Sequence, residues 1–527
     1  MGLLRHTATV GGYTMASRVL GFVRDVMIAA LMAAGPVADA FFVAQRLPNM
    51  FRSLVAEGAF SAAFVPMFSG AVEREGKKEA LRFAEEALAV MLAAMLTVLV
   101  VAEIAMPALI ALLAPGFTGD AERFRLTTEY SRITFPYLTC MAVVALFGGV
   151  LNAFYRFSAA ASAPILMNGI MILALLGFHD TLDTAGHALA WSTFTAGIAQ
   201  LLWLVWSAKR NNVMIRFFRR PRLTPNVKKL LRLMLPGMVG AGVQQLSLFV
   251  STIIASFEAG AVSILYYADR LNQLPLAVIG VAVGVALLPL LSRQLKAGDM
   301  AAAAASQNRA LEFTLVLTLP AAAALVAIPE PIVSVLFERG QFTADITRAT
   351  SWALAAFALG LPAYVLVKAL LPGFYAREDI ATPVRIACAA LGANVALALA
   401  LVHPFGAVGI ALATAASSWI NAGLLAWMLR RRGHFAPDAR LVRRAPRMLV
   451  AAILMAAALI GGSVLLDHAL HGGHMLAEGA ALAALIAGGV ALYGGLAILL
   501  GGAKLEELRA ALRRAPRRVD QPPPARP

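Results

Sequence analysis

Phe42-Val-Ala-Gln-Arg46-Leu47 and Tyr266-Tyr-Ala-Asp-Arg270-Leu271 are one pattern written twice, 224 positions apart. Each places an arginine in an apolar stretch, and each is followed by an apolar run ending at a proline, Pro66 and Pro289. The same offset sets Ala114-Pro-Gly116-Phe117 against Glu338-Arg-Gly340-Gln341. At an offset of 220, Asn152-Ala-Phe154-Tyr155 meets Pro372-Gly-Phe374-Tyr375. Ordered matches at nearly one offset mark an internal duplication, with copies at 1–208 and 225–430.

Composition puts both copies in a membrane. Of 527 residues, 60% are hydrophobic and 14% charged, where a soluble domain carries about 25% charged residues. A water-soluble core cannot hide that much apolar side chain, which excludes most soluble enzyme classes. Windows long enough to cross a hydrocarbon layer of about 30 Å fall along the whole chain. They lie at 10–32, 40–69, 85–113, 132–155, 161–178, 187–208, 231–257, 263–291, 311–337, 350–374, 384–402, 405–429, 447–466 and 478–501. Barrel strands would alternate polar and apolar residues, and these windows do not. Residues 1–10 lack a secretory cleavage pattern, so the first window is expected to stay as a helix. Cys140 and Cys388 both sit in apolar stretches and read as small hydrophobes, not a disulfide.

The net charge of +16 would suggest nucleic acid in a soluble protein. Its distribution argues otherwise. With a cytoplasmic N-terminus, 34 of the 45 basic residues fall in inside segments, dominated by 209–232, 430–447 and the stretch from Lys504. Only Arg123, Arg125, Arg132, Arg339 and Arg348 fall outside. That asymmetry describes a multi-pass membrane protein with both termini cytoplasmic; nucleic acid is not an expected partner. Six spans per copy give both copies the same orientation, so the repeats are parallel. The expected fold is all-α: about fourteen transmembrane helices, two parallel six-helix lobes around a central cavity, plus two extra helices. The expected parts are an N-terminal lobe at 1–208, a basic linker at 209–230 and a C-terminal lobe at 231–430. Helices 13 and 14 follow at 431–503, then a basic tail at 504–527 that reads as disordered.

Six basic residues remain inside the spans: Arg18, Arg24, Arg46, Arg52, Arg270 and Lys368. Each arginine costs about 2.5–3.5 kcal/mol at the bilayer centre. They must face a hydrated cavity, pair with carboxylates, or reach an interface. Arg18 and Asp25 share one face of the first span, and Arg24 lies about 120° from Arg18. Gly21 between them leaves room for another group to approach. In the second span Arg52 follows Asn49 and precedes Glu57, with Pro48 able to kink the helix. The nearby acids are Asp25, Asp39, Glu57 and Asp269; Asp39 is expected at the outer mouth and Glu57 beside a local partner. The deep cavity is therefore expected to be net positive, and guanidinium groups suit phosphate oxygens. The rival reading is a set of salt bridges holding the first bundle together, and Arg46 fits a local or interfacial pair equally well. Lys368 reads as a snorkelling or packing residue.

Asp39-Ala-Phe-Phe-Val-Ala-Gln-Arg-Leu-Pro-Asn49-Met-Phe-Arg52 leads into Glu57-Gly-Ala-Phe-Ser-Ala-Ala-Phe-Val-Pro66. With Arg18-Val-Leu-Gly-Phe-Val-Arg24-Asp25 and Tyr266-Tyr-Ala-Asp-Arg270-Leu-Asn-Gln-Leu-Pro275, this closely resembles the MurJ (MviN) family of bacterial lipid II flippases. The resemblance runs through the fourteenth span. It implies the fold of the multidrug/oligosaccharidyl-lipid/polysaccharide exporter superfamily and a non-enzymatic activity. That activity is movement of undecaprenyl-diphosphate disaccharide pentapeptide across the membrane for cell-wall synthesis. By the same resemblance Arg18, Arg24, Arg52 and Arg270 bind the substrate, and Asp25 organises the first helix. Asp39 and Glu57 are sensitive acids, with Asn49, Asp269 and Arg46 supporting or gating, and helices 13 and 14 border a groove for the lipid tail. Implied partners are lipid II, membrane lipids and cell-wall synthesis proteins. In one respect the sequence departs from the family. Some members bind sodium through acids of helices 7 and 11, whereas 231–257 and 384–402 hold no Asp or Glu, leaving only oxygens such as those of Asn394 and Thr414.

No G-x-x-x-x-G-K-[ST] loop occurs, which removes nucleotide hydrolysis by that route. His468, His471 and His474 are interrupted by Gly472 and Gly473 and read as a polar loop. No metal and no cofactor are expected. Three rival functions remain: a flippase for another polyprenyl-diphosphate glycan, a multidrug antiporter of the same superfold, and a scaffold that only recruits cell-wall proteins. The antiporter would need carboxylates where this chain has arginines.

Overall fold

A computed structural model describes residues 2–52, 60–217, 219–470, 472 and 474–503. The described residues are helical, with a 3₁₀ turn at Pro115–Gly119 and no strand. The helices are α1 (Gly2–Met32), α2 (Pro36–Phe51), α3 (Phe60–Glu75), α4 (Lys77–Leu113), α5 (Ala121–Thr134), α6 (Tyr137–Ala153), α7 (Phe157–Phe178) and α8 (Ala185–Arg210). They continue as α9 (Pro225–Ala255), α10 (Ala261–Lys296), α11 (Met300–Ala327), α12 (Pro329–Phe337), α13 (Ala344–Tyr375) and α14 (Ala381–Arg431). The last are α15 (Ala439–Leu465), α16 (Asp467–Leu470) and α17 (Met475–Leu499). The expected windows fall mainly on helix among the described residues. Among the described residues, nine helical segments are long and apolar enough to cross a bilayer. The expected tail, 504–527, lies outside the described residues, as do Glu57 and His471.

Local chemistry sets the boundaries. Prolines open α2 and α9, where a missing N–H costs nothing. Asp120, Asp299 and Asp438 cap α5, α11 and α15 with their carboxylates. At 51 residues α14 would run about 77 Å if straight, more than twice the hydrocarbon layer. It is broken at Gly406, whose φ of 54° and ψ of −131° leave the helical region. A Cβ at Gly409 would lie 2.1 Å from the Leu401 carbonyl, so the chain turns back on itself there. This supplies the two spans expected at 384–402 and 405–429.

Lipid is as apolar as a protein core, so burial inside such a fold selects for packing and internal hydrogen bonding. Leu465 and Leu476 are accordingly exposed, while Thr127, Ser131, Thr193 and Gln200 are buried. Thr127 and Thr193 donate to carbonyls one turn back, at 2.6 and 2.8 Å.

The chain divides into two compact units. The first holds the described residues up to Leu271, with Leu336–Leu354 and Val384–Ser417. Inside it, the duplication becomes visible as geometry. A twofold axis brings a residue against its own equivalent. Phe42 stacks on Tyr266, 224 positions later, with ring centroids 3.8 Å apart. Asp39 meets Ser263, again 224 apart: its carboxylate accepts the Ser263 N–H at 2.9 Å and the hydroxyl at 2.5 Å. One contact off the axis has a counterpart between the equivalent elements. Gly116 abuts the Ser256 backbone at the end of α9, and its equivalent Gly340 abuts Ala30 near the end of α1. Both approaches are closed to any Cβ, which would lie 2.3 and 2.4 Å from the facing carbonyl oxygen.

The second unit holds Asn272–Val335, Ala355–Pro383 and the described residues from Ser418 on. Here α15 packs on α11 and α17. Glu312 on α11 is buried and pairs with Arg309, Arg440 and Arg444, the last itself buried. Asn308 fastens the lead-in to α15, donating to the Ala436 carbonyl at 2.9 Å and accepting from the Asp438 N–H at 3.1 Å.

Candidate functional site

The charged stretch of α1 lies against α7 and the part of α10 up to Leu271, within the first unit. Gly21 makes this possible: a Cβ there would sit 3.3 Å from Arg270 Nη2 and 3.4 Å from Asn168 Nδ2. The space that the sequence left open is filled by these two side chains.

Asp25 is fully buried and is shared by two arginines. Arg24 donates to its Oδ1 from Nε at 3.0 Å and from Nη2 at 2.6 Å. Arg270 Nε donates to Oδ2, and the Tyr266 hydroxyl adds a bond to Oδ1 at 3.3 Å. Arg24 also reaches across to α7, donating from Nη1 to Asn168 Oδ1 at 2.9 Å. Asn168 is oriented in turn, since its Nδ2 donates to the Ser17 carbonyl at 2.9 Å. Two guanidinium groups on one carboxylate leave a net positive charge, and their remaining N–H groups are aimed by fixed partners.

Arg24 and Arg270 line a cavity of about 560 Å³ together with Asn49, Arg52, Tyr266 and Asn168. No carboxylate is among the described residues that line it. Arg18 is not brought there. It is exposed although Asp25, seven positions on and on the same face of α1, is fully buried, so the two differ by height along the helix, about 10 Å, and not by direction. Arg46 also leaves the cavity. It donates to the Leu248 carbonyl at 3.1 Å and to the Thr252 hydroxyl on α9, with Asp269 as its electrostatic partner. The opposite side of α2 is apolar: Leu47 and Met50 line a second pocket, of about 570 Å³, with residues of α4 and α9.

Asp39, expected at the outer mouth, is completely buried. It acts as a helix cap from another element, accepting the backbone N–H groups of Gly260 at 3.0 Å and Ser263 at 2.9 Å at the start of α10. Arg123 stands 3.8 Å from it, held by Asp120 at 2.7 Å. That bond keeps the Asp120 carboxyl below its usual range. Glu57, expected near Arg52, lies outside the described residues.

Sequence reasoning missed Asn168, Tyr266 and Arg123. Asn168 is the sole amide in the window 161–178, which was the available signal. Arg123 was read as an ordinary outside residue, since nothing in sequence places it beside Asp39.

The family model for lipid II flippase MurJ matches residues 28–480. A probable lipid II flippase MurJ of Rhizobium meliloti (strain 1021) is 46% identical over 519 residues, covering 98% of this chain and 97% of that protein. The lipid II flippase MurJ of Burkholderia cenocepacia is 36% identical over 461 residues, covering 86% and 89%. A solved lipid II flippase MurJ in an inward closed conformation superposes with a TM-score of 0.76 at 23% identity, covering 96% of this chain and 99% of that one. An inward-facing multidrug resistance MATE transporter of the MOP superfamily gives 0.68 at 17% identity, covering 81% and 97%. The duplicated all-helical fold is shared with both, and the matched length and identity place the chain in the family of lipid II flippase MurJ.

Proposed function

We propose that this flippase carries lipid II from the cytoplasmic to the periplasmic leaflet of the inner membrane by alternating access. Lobes at 1–208 and 231–430 rock about the cavity, with both termini cytoplasmic. The observation that carries this reading is the cavity lined by Arg24, Arg52 and Arg270 with no carboxylate among its described lining residues. A diphosphate supplies the missing negative charge. Moving it bare through hydrocarbon is prohibitive, whereas bidentate guanidinium bonds replace its water.

Diphosphate binding competes with Asp25 for the N–H groups of Arg24 and Arg270. It draws together the elements that carry the arginines, while the polyprenyl tail stays in lipid along a groove bordered by α15 and α17. Arg18, exposed on the same helix, meets the headgroup on its way in. The membrane potential can drive or reset the cycle, at about 2.3 kcal/mol per elementary charge per 100 mV. Cell-wall synthesis proteins receive the product on the far side.

The test is translocation of labelled lipid II in proteoliposomes, read by an impermeant reagent, beside Arg24→Ala and Arg270→Ala. Movement by the natural protein that is lost in both variants is expected. Movement unaffected by either change would remove the cationic cavity from the mechanism. Tight binding without movement, with and without an imposed potential, would favour a receptor.

A further inference from the structure

The cavity has a second wall that the arginines do not explain. Gln200 on α8 and Asn152 on α6 line it. Gln200 is 1% exposed, and its Nε2 donates to the Ala163 carbonyl at 2.8 Å. A carbonyl can be met only by the NH₂ half of an amide, so this bond fixes the orientation and turns Oε1 the other way. Gln200 Oε1 and Asn152 Oδ1 are both buried and have no hydrogen-bond partner among the described residues. A buried acceptor left unmet is costly, and the neighbouring positions Met141, Val144 and Met167 show that apolar side chains suit this wall.

One side of the cavity thus offers guanidinium donors, from Arg24, Arg52 and Arg270, and the residues of the other side carry unmet acceptors buried just beneath its surface. A ligand that satisfies both has an anionic part bearing only acceptors and a neutral part rich in O–H and N–H donors. We infer that Gln200 Oε1 and Asn152 Oδ1 form a specificity subsite that accepts hydrogen bonds from hydroxyl or amide N–H groups of the substrate's glycopeptide headgroup. This rests on the reading that the arginines hold the diphosphate. It gives the cavity a means of telling a loaded carrier from a bare one, since a bare polyprenyl diphosphate leaves the acceptors unmet.

Binding to the purified full-length protein, measured with two probes, tests this: lipid II and bare undecaprenyl diphosphate. Gln200→Met removes the amide at nearly constant size, and Asn152→Leu removes the second acceptor independently. Each is expected to weaken lipid II binding about tenfold while bare-diphosphate binding stays within about twofold; the bare probe also reports that the variants remain folded. Equal losses for both probes, or no loss for either, would overturn the subsite. So would a natural protein that binds lipid II no tighter than the bare carrier, an outcome that leaves the cationic site standing. A natural protein that binds neither probe removes the proposed function as well. A third probe, the disaccharide diphosphate lacking its peptide, names the donors. A penalty that persists assigns them to the sugars, and a penalty that disappears assigns them to the peptide.

Discussion

Asp39 and Ser263 occupy the same position in the two halves of the duplication, and they touch, with 2.5 Å between carboxylate and hydroxyl. Because Asp39 also caps the first turn of α10, this contact ties α2 to α10 through charge and helix dipole together. Alternating access requires the tie to open. Asp39→Cys combined with Ser263→Cys is expected to form a disulfide under oxidation that stops lipid II translocation, with activity returning on reduction. Full activity in the cross-linked protein would show that this contact never parts.

Asp25 holds two arginines from a fully buried position. Asp25→Ala leaves buried guanidinium charge without its counter-ion, at a cost of about 3–5 kcal/mol. Adding Arg24→Met to Asp25→Ala removes part of that charge and is expected to recover part of the loss. Thermal unfolding of the detergent-solubilised variants measures both, and additive losses in the double variant would refute the pairing.

In the second unit, Glu312 is the shared counter-ion of Arg309, Arg440 and Arg444. Glu312→Gln is expected to loosen α15 from α11, destabilising the protein by on the order of 3 kcal/mol. Hydrogen exchange is the readout: α15 amides speed up while those of α7 do not.

Asp379 lies in the loop between α13 and α14. Burial pushes its carboxyl up, but bonds from Thr382 and Arg432 outweigh this and hold it down at about 2. A group whose pKa is depressed in the folded state stabilises above its unfolded value of about 3.9 and loses that contribution as pH falls through the folded one. The stability gap between the natural protein and Asp379→Ala is therefore expected to be full above pH 4 and to close towards pH 2. A gap constant across that range would exclude the ion pair as its source.

The spans and the duplication were legible in the sequence because a bilayer enforces hydropathy at every crossing, and because Arg46 and Arg270 stand out in apolar surroundings. Arg24 and Arg270 were legible as site residues for the same reason: a charge in hydrocarbon needs a purpose. Asn168 was not, since a neutral amide is cheap enough in a helix to carry no alarm. Helical spacing put Arg18 on the face of Asp25 but not the depth along α1 at which neighbouring helices begin to bury it, so Arg24 reached the cavity and Arg18 did not. The burial of Asp39 was hidden because its partners at Gly260 and Ser263 include backbone N–H groups, which leave no mark in a sequence. The hairpin within α14 was foreshadowed by the gap between two windows, and Gly406 supplied the turn.

The axial contacts also constrain the ancestry of the chain. A symmetric pair of separate subunits must carry the same residue on both sides of its axis. Aspartate at both positions 39 and 263 would press two carboxylates together, and serine at both would withhold the charged cap from α10. The Asp39–Ser263 pairing is available only once duplication has freed the two halves to mutate independently, as they can within this one chain. Duplication therefore did more than double the number of helices: it allowed opposite roles to evolve at one place in space.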